Sequence, residues 1–146
     1  MDRVITTKEQ VRDLWTLVYH PGKKPDWSHI IPYYHPEILF RDSVQTIRGI
    51  QKFTAMTERL ARRSATLEMD IRNIAQSEKT IFLEWIMTLR YKNLPKSSVY
   101  GSSRITLDAA GKIIEQRDYY DLWGDIFDHL PVVGRLYRWI MFWWFG

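Results

Sequence analysis

The sequence predicts an α+β fold, in which a cone-shaped, curved antiparallel sheet packs on three N-terminal helices and a C-terminal helical tail follows. Apolar residues recur at positions 11, 14, 15 and 18, which is the spacing of one buried helix face. From position 67 the apolar period becomes two, as in strands with one wet face. Helices that precede a run of strands segregate to one face of an antiparallel sheet. A strongly bent sheet closed off by helices leaves an apolar interior suited to a small hydrophobic ligand.

Capping and breaker residues set the limits of the predicted helices. These helices cover residues 6–19, 27–34 and 49–63. Thr6 and Glu9 have the spacing of a capping box, in which a hydroxyl and a carboxylate satisfy free N–H groups at the start of a helix. Asp26 is expected to cap the second helix, which ends before Pro36 because a residue preceding proline disfavours the helical conformation.

Alternation and turn residues predict about four long strands and one short strand. The short strand covers residues 37–43, and the long ones run from 67 to a turn at 77–79, from 80 to 91, from 98 to 107 and from 111 to 121. Strand 80–91 is apolar on both faces and is therefore expected to be central. A loop is expected over residues 93–97. The last turn contains Gly111, which can adopt a positive φ at little cost.

The strand over residues 111–121 changes character along one face. Ile114, Gln116, Asp118 and Tyr120 share this face by alternation, so it begins apolar and ends with a carboxylate beside a phenol. Such a face is typical of a pocket wall whose rim binds a ligand. The alternative is that Asp118 lies at a sheet edge and pairs with an arginine.

The short strand repeats this pattern. Ile38, Phe40 and Asp42 share one face, which again ends in a carboxylate. The alternative is that Asp42 caps the following turn or helix, because a short carboxylate side chain readily bonds nearby backbone N–H groups.

Size and composition indicate a single globular domain of ordinary composition. The 146 residues are 45% hydrophobic and carry a net charge of +4, which is no nucleic-acid signature. Without cysteine there is no disulfide, thiolate metal site or cysteine nucleophile. The four histidines lack ligand spacing, and no Gly-rich phosphate loop occurs, so neither a metal nor a cofactor is expected. The N-terminus has no apolar core of signal-peptide length, which makes the cytoplasm the expected location.

Residues 122–146 form an aromatic tail beyond the domain expected over residues 1–121. Pro131 and Gly134 are expected to divide the tail, and six of the nine residues from 137 to 145 are aromatic. The run is shorter than the roughly 20 apolar residues that span a bilayer. Two interpretations stay open. The tail can bury its rings by capping the cone or a dimer surface, or residues 135–146 can lie in a membrane interface, where Arg135 and Arg138 meet anionic headgroups.

Three segments carry a family resemblance. They are Tyr-His-Pro-Glu-Ile-Leu-Phe-Arg-Asp at 34–42, Ile-Arg-Gly-Ile at 47–50 and Gly-Lys-Ile-Ile-Glu-Gln-Arg-Asp-Tyr-Tyr-Asp at 111–121. With the helices before them they resemble the nuclear transport factor 2-like superfamily, in its SnoaL-like polyketide-cyclase and limonene-epoxide-hydrolase-like branch, over roughly residues 5–122. The resemblance implies a cone-shaped α+β barrel that holds a small, mostly apolar molecule and commonly forms a homodimer through the sheet.

The catalytic residues of these families are carried over only in part. Asp42 matches the position of the general base in ketosteroid isomerases, whereas Ser103 stands near the position of their protonated aspartate. Asp118 resembles one aspartate of the Arg/Asp/Asp arrangement in epoxide hydrolases of this type. Trp85 and Met87 stand where the arginine and the other aspartate would be. Neither of those mechanisms is therefore expected in unchanged form.

The expected site is a dry cavity with two carboxylates. Asp42 and Asp118 are the candidate catalytic pair, because desolvation and mutual repulsion would raise at least one pKa toward neutrality. The candidate ligand-binding residues are Trp15, Tyr19, Phe40, Trp85, Met87, Ser103, Gln116 and Tyr120. The expected chemistry is proton transfer at carbon, dehydration or cyclisation. The alternatives are a non-catalytic ligand-binding protein and a membrane-surface protein that works through its tail.

Overall fold

The computed structural model describes residues 3–91 and 96–146, without the side chain of Tyr91. The helices are α1 (Lys8–Val18), α2 (Ile50–Arg63), α3 (Leu122–Asp125) and α4 (Val133–Phe145), with 3₁₀ turns at Ile31–Tyr33 and Phe127–His129. The strands are β1 (Tyr34–Arg41), β2 (Thr46–Arg48), β3 (Ser64–Ser77), β4 (Thr80–Tyr91), β5 (Ser97–Leu107) and β6 (Ile113–Tyr120). The loop predicted over residues 93–97 lies mostly outside the described residues.

The six strands form one curved, open sheet in the order β2-β1-β6-β5-β4-β3. The predicted α+β class and its curved sheet are confirmed. Strands β3 to β6 form the predicted antiparallel meander, but β1 runs parallel to β6, and β2 adds a three-residue edge strand that the sequence pattern did not reveal. Three residues are too few for alternation to be recognised, and pairing direction is a long-range property.

Two of the three predicted helices are present, and the start of the first differs by one residue. Thr7, not Thr6, is the N-cap of α1 and accepts from the backbone N–H of Gln10, while the Gln10 side chain reaches back to Thr6. The second predicted helix, over 27–34, is wrong. Asp26 does bond the N–H of Ser28, but only turns follow, since Pro32 has no N–H for a helical bond.

The core lies between the inner face of the sheet and helices α1 and α2. The four apolar residues of the predicted α1 face are all buried. Phe53 of α2 packs its ring 4.7 Å from that of Tyr34 and 5.4 Å from that of Phe40. Buried rings of this size each contribute about 1.5–3 kcal/mol through the hydrophobic effect. Because both β1 rings face α2, this cluster fixes the strand that leads to Asp42.

A bulge changes the predicted inner face of β6. Ile113, not Ile114, is fully buried, because Leu107 and Thr106 on β5 oppose Ile113 and Glu115 and leave one extra residue on β6. Beyond the bulge, alternation holds through Gln116 to the end of the strand. The preceding Gly111 has φ +86°, as predicted, and its carbonyl accepts from the N–H of Ile5.

The tail leaves the sheet at the end of β6. Asp121 caps α3, and the carboxylate of Asp125 accepts from the N–H of Tyr100 on β5, which ties α3 to the sheet. Gly134 does not divide the tail as predicted. It lies inside α4 where a Cβ would stand 2.8 Å from the carbonyl carbon of Asp128, so glycine permits a close contact. None of the helices in the described part of the chain is long and apolar enough to cross a membrane.

Candidate functional site

A cavity of about 380 Å³ lies between the inner face of the sheet, α1, α2 and the start of the tail. Its volume falls in the range of roughly 300–1,000 Å³ that is typical of small-molecule sites. The rings that line it belong to Trp15, Tyr19, Trp27, Tyr34, Phe40, Phe53, Trp85 and Tyr120. The only two carboxylates among the residues found to line it are Asp42 and Asp118. The cavity wall is therefore rich in aromatic rings, and beside the two aspartates its polar side chains include Gln45, Thr57, Arg59, Arg63 and Gln116.

Strand register determines which side chains meet in this cavity. Asp118 on β6 lies opposite Ser103 on β5, which lies opposite Leu83 on β4, and all three point to the inner face. The next inward row contains Tyr120, Gly101 and Trp85. At Gly101 a Cβ would stand 2.6 Å from Cζ2 of Trp85, so the absence of a side chain makes room for the indole.

Asp118 accepts hydrogen bonds from two neighbouring side chains. Its Oδ1 accepts from Oγ of Ser103 at 2.7 Å and from Nε2 of Gln116 at 3.1 Å. Its Oδ2 receives only a longer contact from the same Gln116 nitrogen, at 3.4 Å. The ion pairs among the described residues do not include Asp118, so the interpretation that it pairs with an arginine is wrong for this structure.

Both donors are oriented by a further donor behind them. Nε1 of Trp85, which can only donate, bonds Oγ of Ser103 at 2.9 Å, so the single hydroxyl proton of Ser103 is directed to Asp118. The hydroxyl of Tyr34 donates to Oε1 of Gln116 at 2.6 Å, which leaves the amide nitrogen facing Asp118. Two relays, Trp85–Ser103 and Tyr34–Gln116, thus converge on one carboxylate.

Burial is the main influence on the acidity of Asp118. Desolvation raises its pKa from 3.8 to about 6, and the negative charge of Asp42 adds to this rise. The hydrogen bonds from Ser103 and Gln116 act in the opposite direction, because they stabilise the ionised form. The balance leaves Asp118 able to hold or release a proton near neutral pH.

Asp42 has both a structural contact and a cavity contact. Its Oδ1 accepts from the backbone N–H groups of Val44 and Gln45, each at 2.8 Å, which is the predicted alternative of a turn residue. Its Oδ2 accepts from the hydroxyl of Tyr120 at 3.2 Å. Both sequence interpretations of Asp42 are therefore present at once, one on each oxygen.

Two phenols of the cavity stay protonated over the whole neutral range. Burial raises the pKa of Tyr19 and of Tyr34 well above the ordinary value, and the charge of Asp118 adds to both rises. A protonated phenol in a dry site can donate to an oxygen that gains negative charge. Since the hydroxyl of Tyr34 donates to Gln116, Tyr19 is the better placed of the two for a ligand.

The structure places nine of the ten candidate site residues on the cavity wall. They are Trp15, Tyr19, Phe40, Asp42, Trp85, Met87, Gln116, Asp118 and Tyr120. The tenth, Ser103, is only 2% exposed and lies behind Asp118, where it bonds the carboxylate instead of lining the cavity. Sequence reasoning missed Tyr34 and Trp27, because both fell within the helix predicted over 27–34. It also missed Leu122 and Ile126 at the start of the tail.

The described residues contain no candidate metal site. Over residues 3–91 and 96–146, no three His, Cys, Asp or Glu side chains are placed to hold a metal ion together.

Comparison of the fold with solved structures gives many similar chains, and three of them have 15–19% sequence identity to this one. A protein from Shewanella denitrificans OS-217 described as a SnoaL-like polyketide cyclase has a TM-score of 0.68 and 15% identity over 83% of this chain and 96% of its own. An LEH-like epoxide hydrolase from M. tuberculosis has a TM-score of 0.67 and 17% identity over 92% and 97%. A nuclear transport factor 2-like protein of unknown function from Exiguobacterium sp. 255-15 has a TM-score of 0.65 and 19% identity over 80% and 99%.

At these identities the likeness concerns the fold, not the reaction. None of the proteins with curated descriptions matches this sequence. A family model does match: the SnoaL-like domain covers residues 11–116, which include most of α1, all of α2, most of the sheet and Gln116 of the cavity wall. The resemblance inferred from the sequence segments is thereby confirmed. This chain belongs to the SnoaL-like family.

Proposed function

We propose that this protein binds a small, mostly apolar molecule in the cavity and that Asp118 transfers a proton to or from it. The observation that carries the proposal is a carboxylate with a pKa of about 6, held without a cationic partner in an aromatic cavity of about 380 Å³. General acid–base catalysis is most efficient when the pKa of the group lies near the working pH. The reaction class is isomerisation, dehydration or cyclisation of the kind that needs proton movement at carbon.

The hydrogen bonds of Asp118 indicate which oxygen carries the proton. Oδ1 accepts from Ser103 and from Gln116, and both donors are held in that orientation by Trp85 and Tyr34. A proton on Oδ1 would displace one of these bonds, so Oδ2 is the oxygen that is protonated. Ionised Oδ2 is then the base, and protonated Oδ2 is the acid.

The aromatic wall and Tyr19 complete the proposed mechanism. Trp15, Phe40 and Trp85 exclude water and hold an apolar skeleton. When Oδ2 removes a proton beside a carbonyl group, negative charge develops on the carbonyl oxygen, and the protonated phenol of Tyr19 stabilises it. Asp42 with Tyr120 forms a second polar point of the wall, which orients the ligand.

The experiment is a thermal-shift screen of small apolar carbonyl, epoxide and lipid-like compounds against the wild type, Asp118→Asn and Asp13→Asn. Asp13 is an exposed residue of α1 and serves as the matched control. A compound that acts at the proposed site raises the Tm of the wild type and of Asp13→Asn equally, and that of Asp118→Asn by a different amount. Identical shifts in all three proteins would place the ligand elsewhere and refute the proposal.

Proton transfer is tested on any compound that passes the screen. In D₂O, the wild type should exchange a carbon-bound proton of the compound, as followed by NMR, with a rate that rises with pH through about 6. Asp118→Asn should lose this exchange although it still folds. Binding without exchange would favour the non-catalytic alternative, in which Trp85 and Met87 make the cavity a binding site only.

The outer face of the sheet is the proposed surface for a homodimer. Phe82, Tyr100 and Tyr119 share this face by register, and all three are exposed. Exposed rings on a sheet face are suited to contact with a second copy. Sedimentation velocity of the wild type and of Phe82→Ser tests this: dissociation caused by the substitution would support the sheet as the interface, and an unchanged dimer would exclude it.

A further inference from the structure

The tail, residues 122–146, carries most of the large apolar side chains that are exposed among the described residues. Sixteen large apolar residues are exposed in the part of the chain that the structure describes, and eleven of them lie in the tail. The most exposed rings are at the end of α4, where Phe142, Trp143, Trp144 and Phe145 are 68–80% accessible. In the single chain these four rings are therefore not buried against the cone. A contiguous group of exposed aromatic rings on a protein surface marks a site of interaction.

We propose that α4 docks on the surface of an anionic lipid bilayer, with Trp139–Phe145 in the membrane interface. This inference is independent of the proposed activity of the cavity. The geometry, length, charge and side-chain chemistry of α4 favour a lipid surface over a protein partner.

The arrangement of side chains around the end of α4 favours immersion in an apolar medium over contact with one protein face. Successive helical residues are about 100° apart, so the five residues from Met141 to Phe145 point in every direction around the axis. All five are exposed in the structure. A groove or a second copy would cover one side of this turn and leave the others in water. An apolar phase into which the helix end is immersed covers all of them.

The base of α4 is held by the protein, so the exposed end projects from a fixed support. Arg138 pairs with Asp128 at 3.2 Å, and the ring of Tyr137 stacks on that of Trp123, with centroids 6.0 Å apart. Gly134 allows close approach to the backbone of Asp128. The helix therefore presents its aromatic end without needing to fold at the membrane.

The length of α4 fits a surface position. Its 13 residues extend about 20 Å at 1.5 Å per residue, less than the hydrocarbon core of about 30 Å. Trp and Tyr are enriched at the membrane–water interface, where an amphipathic ring meets both headgroups and acyl chains. An aromatic helix end of this length rests in the interface.

Charge favours an anionic bilayer. After Asp128 the sequence contains no acidic residue, whereas Arg135 and Arg138 lie in the first two turns of α4. Arginines beside an apolar surface are attracted to anionic headgroups while the rings insert. Arg138 already pairs with Asp128, so Arg135 contributes most of this attraction, and because it precedes the exposed rings along the helix it can remain at headgroup level.

The test is co-sedimentation with vesicles of phosphatidylcholine alone and of phosphatidylcholine mixed with phosphatidylglycerol. The wild type should bind the mixed vesicles more strongly, with a blue shift of tryptophan emission and quenching by brominated acyl chains. Trp143→Ser/Trp144→Ser should weaken binding by at least about tenfold, since two large side chains lose their apolar contact. Arg135→Gln should weaken binding to the mixed vesicles about fivefold and leave binding to phosphatidylcholine unchanged.

Leu17→Ser is the matched control, because Leu17 is 59% exposed but lies on α1. It should bind vesicles as the wild type does. The proposal is overturned if the wild type binds neither vesicle, or if the Trp143→Ser/Trp144→Ser protein binds as well as the wild type. It is also overturned if lipid-free protein forms a dimer that this double substitution abolishes and that persists on vesicles without quenching, because a second copy would then cover the rings.

Discussion

The stability of this protein should depend on pH through Asp118 in a direction opposite to that of most carboxylates. Burial raises the pKa of Asp118 from 3.8 to about 6, so the folded state binds a proton that the unfolded state has already released over this interval. The contribution of Asp118 to the free energy of unfolding is therefore highest below pH 4 and falls between pH 4 and pH 6. Above about pH 6 this contribution no longer changes with pH. Most aspartates, whose folded-state pKa is lowered, behave in the opposite way.

The magnitude follows from the size of the pKa change. A pKa raised from 3.8 to about 6, at about 1.4 kcal/mol per unit, makes the ionised Asp118 cost about 3 kcal/mol of folding free energy at pH 8. Asp118→Asn has no such cost, and its amide oxygen can occupy the Oδ1 position and accept from both Ser103 and Gln116. The variant should thus be more stable than the wild type at pH 8, by up to about 3 kcal/mol, and should lose this advantage near pH 4.

Urea unfolding at half-unit steps from pH 4 to 8, at constant ionic strength, measures the difference between the two proteins. Other acidic groups titrate in both and cancel in the difference. Asp13→Asn, on the exposed face of α1, should give a difference near zero at every pH. A flat difference between the wild type and Asp118→Asn would show that Asp118 ionises as it does in water, and the proposed proton transfer would lose its basis.

Two further substitutions test the groups around Asp118. Ser103→Ala should raise the pKa of Asp118 further, because it removes a hydrogen bond to the ionised form, and should cost about 1–3 kcal/mol by leaving Nε1 of Trp85 unpaired. Carbon-13 NMR titration of the carboxyl group and urea unfolding measure the two effects. Gly101→Ala should cost about 1–3 kcal/mol and change the near-ultraviolet circular dichroism, because its Cβ would overlap the indole of Trp85.

Each of these substitutions has an outcome that contradicts the structure. An unchanged or lowered pKa of Asp118 in Ser103→Ala would mean that the hydroxyl does not donate to the carboxylate. Ser102→Ala is the control for Gly101→Ala, since Ser102 is the next residue of β5 and faces the outer side of the sheet. Equal stability and equal spectra for these two variants would mean that Trp85 does not lie over Gly101.

The parts of the site that follow from alternation could be predicted from the sequence. Strand parity alone placed Phe40 and Asp42 on one inward face, and Gln116 with Asp118 on another, and the structure has them on the cavity wall. Parity failed at Ile114, where a bulge inserts one extra residue before the polar end of the strand. A bulge depends on how β5 and β6 pair, and the sequence of one strand does not contain that information.

The parts that depend on register between strands could not be predicted. Ser103 was expected beside the ligand, but it lies behind Asp118, because a serine that is opposite a carboxylate in the sheet bonds it directly. Tyr34 was missed because a short polar–apolar segment before Pro36 resembles a helix as readily as a strand. The contact between Gly101 and Trp85 depends on which residues of β4 and β5 lie opposite each other, and composition gives no signal of that pairing.

The proton affinity of Asp118 is set by burial, hydrogen bonds and the charge of Asp42, without an ion pair to a cation among the described residues. Desolvation and the charge of Asp42 favour the protonated form of Asp118, and two oriented donors favour the ionised form. An arginine in contact would have fixed the carboxylate in its ionised state and ended its use as an acid. Because each donor is itself held by a further donor, Trp85 or Tyr34, a displacement of either ring would also change the acidity of Asp118. The proposed ligand binding and the proposed proton transfer would therefore be coupled through the aromatic wall of the cavity.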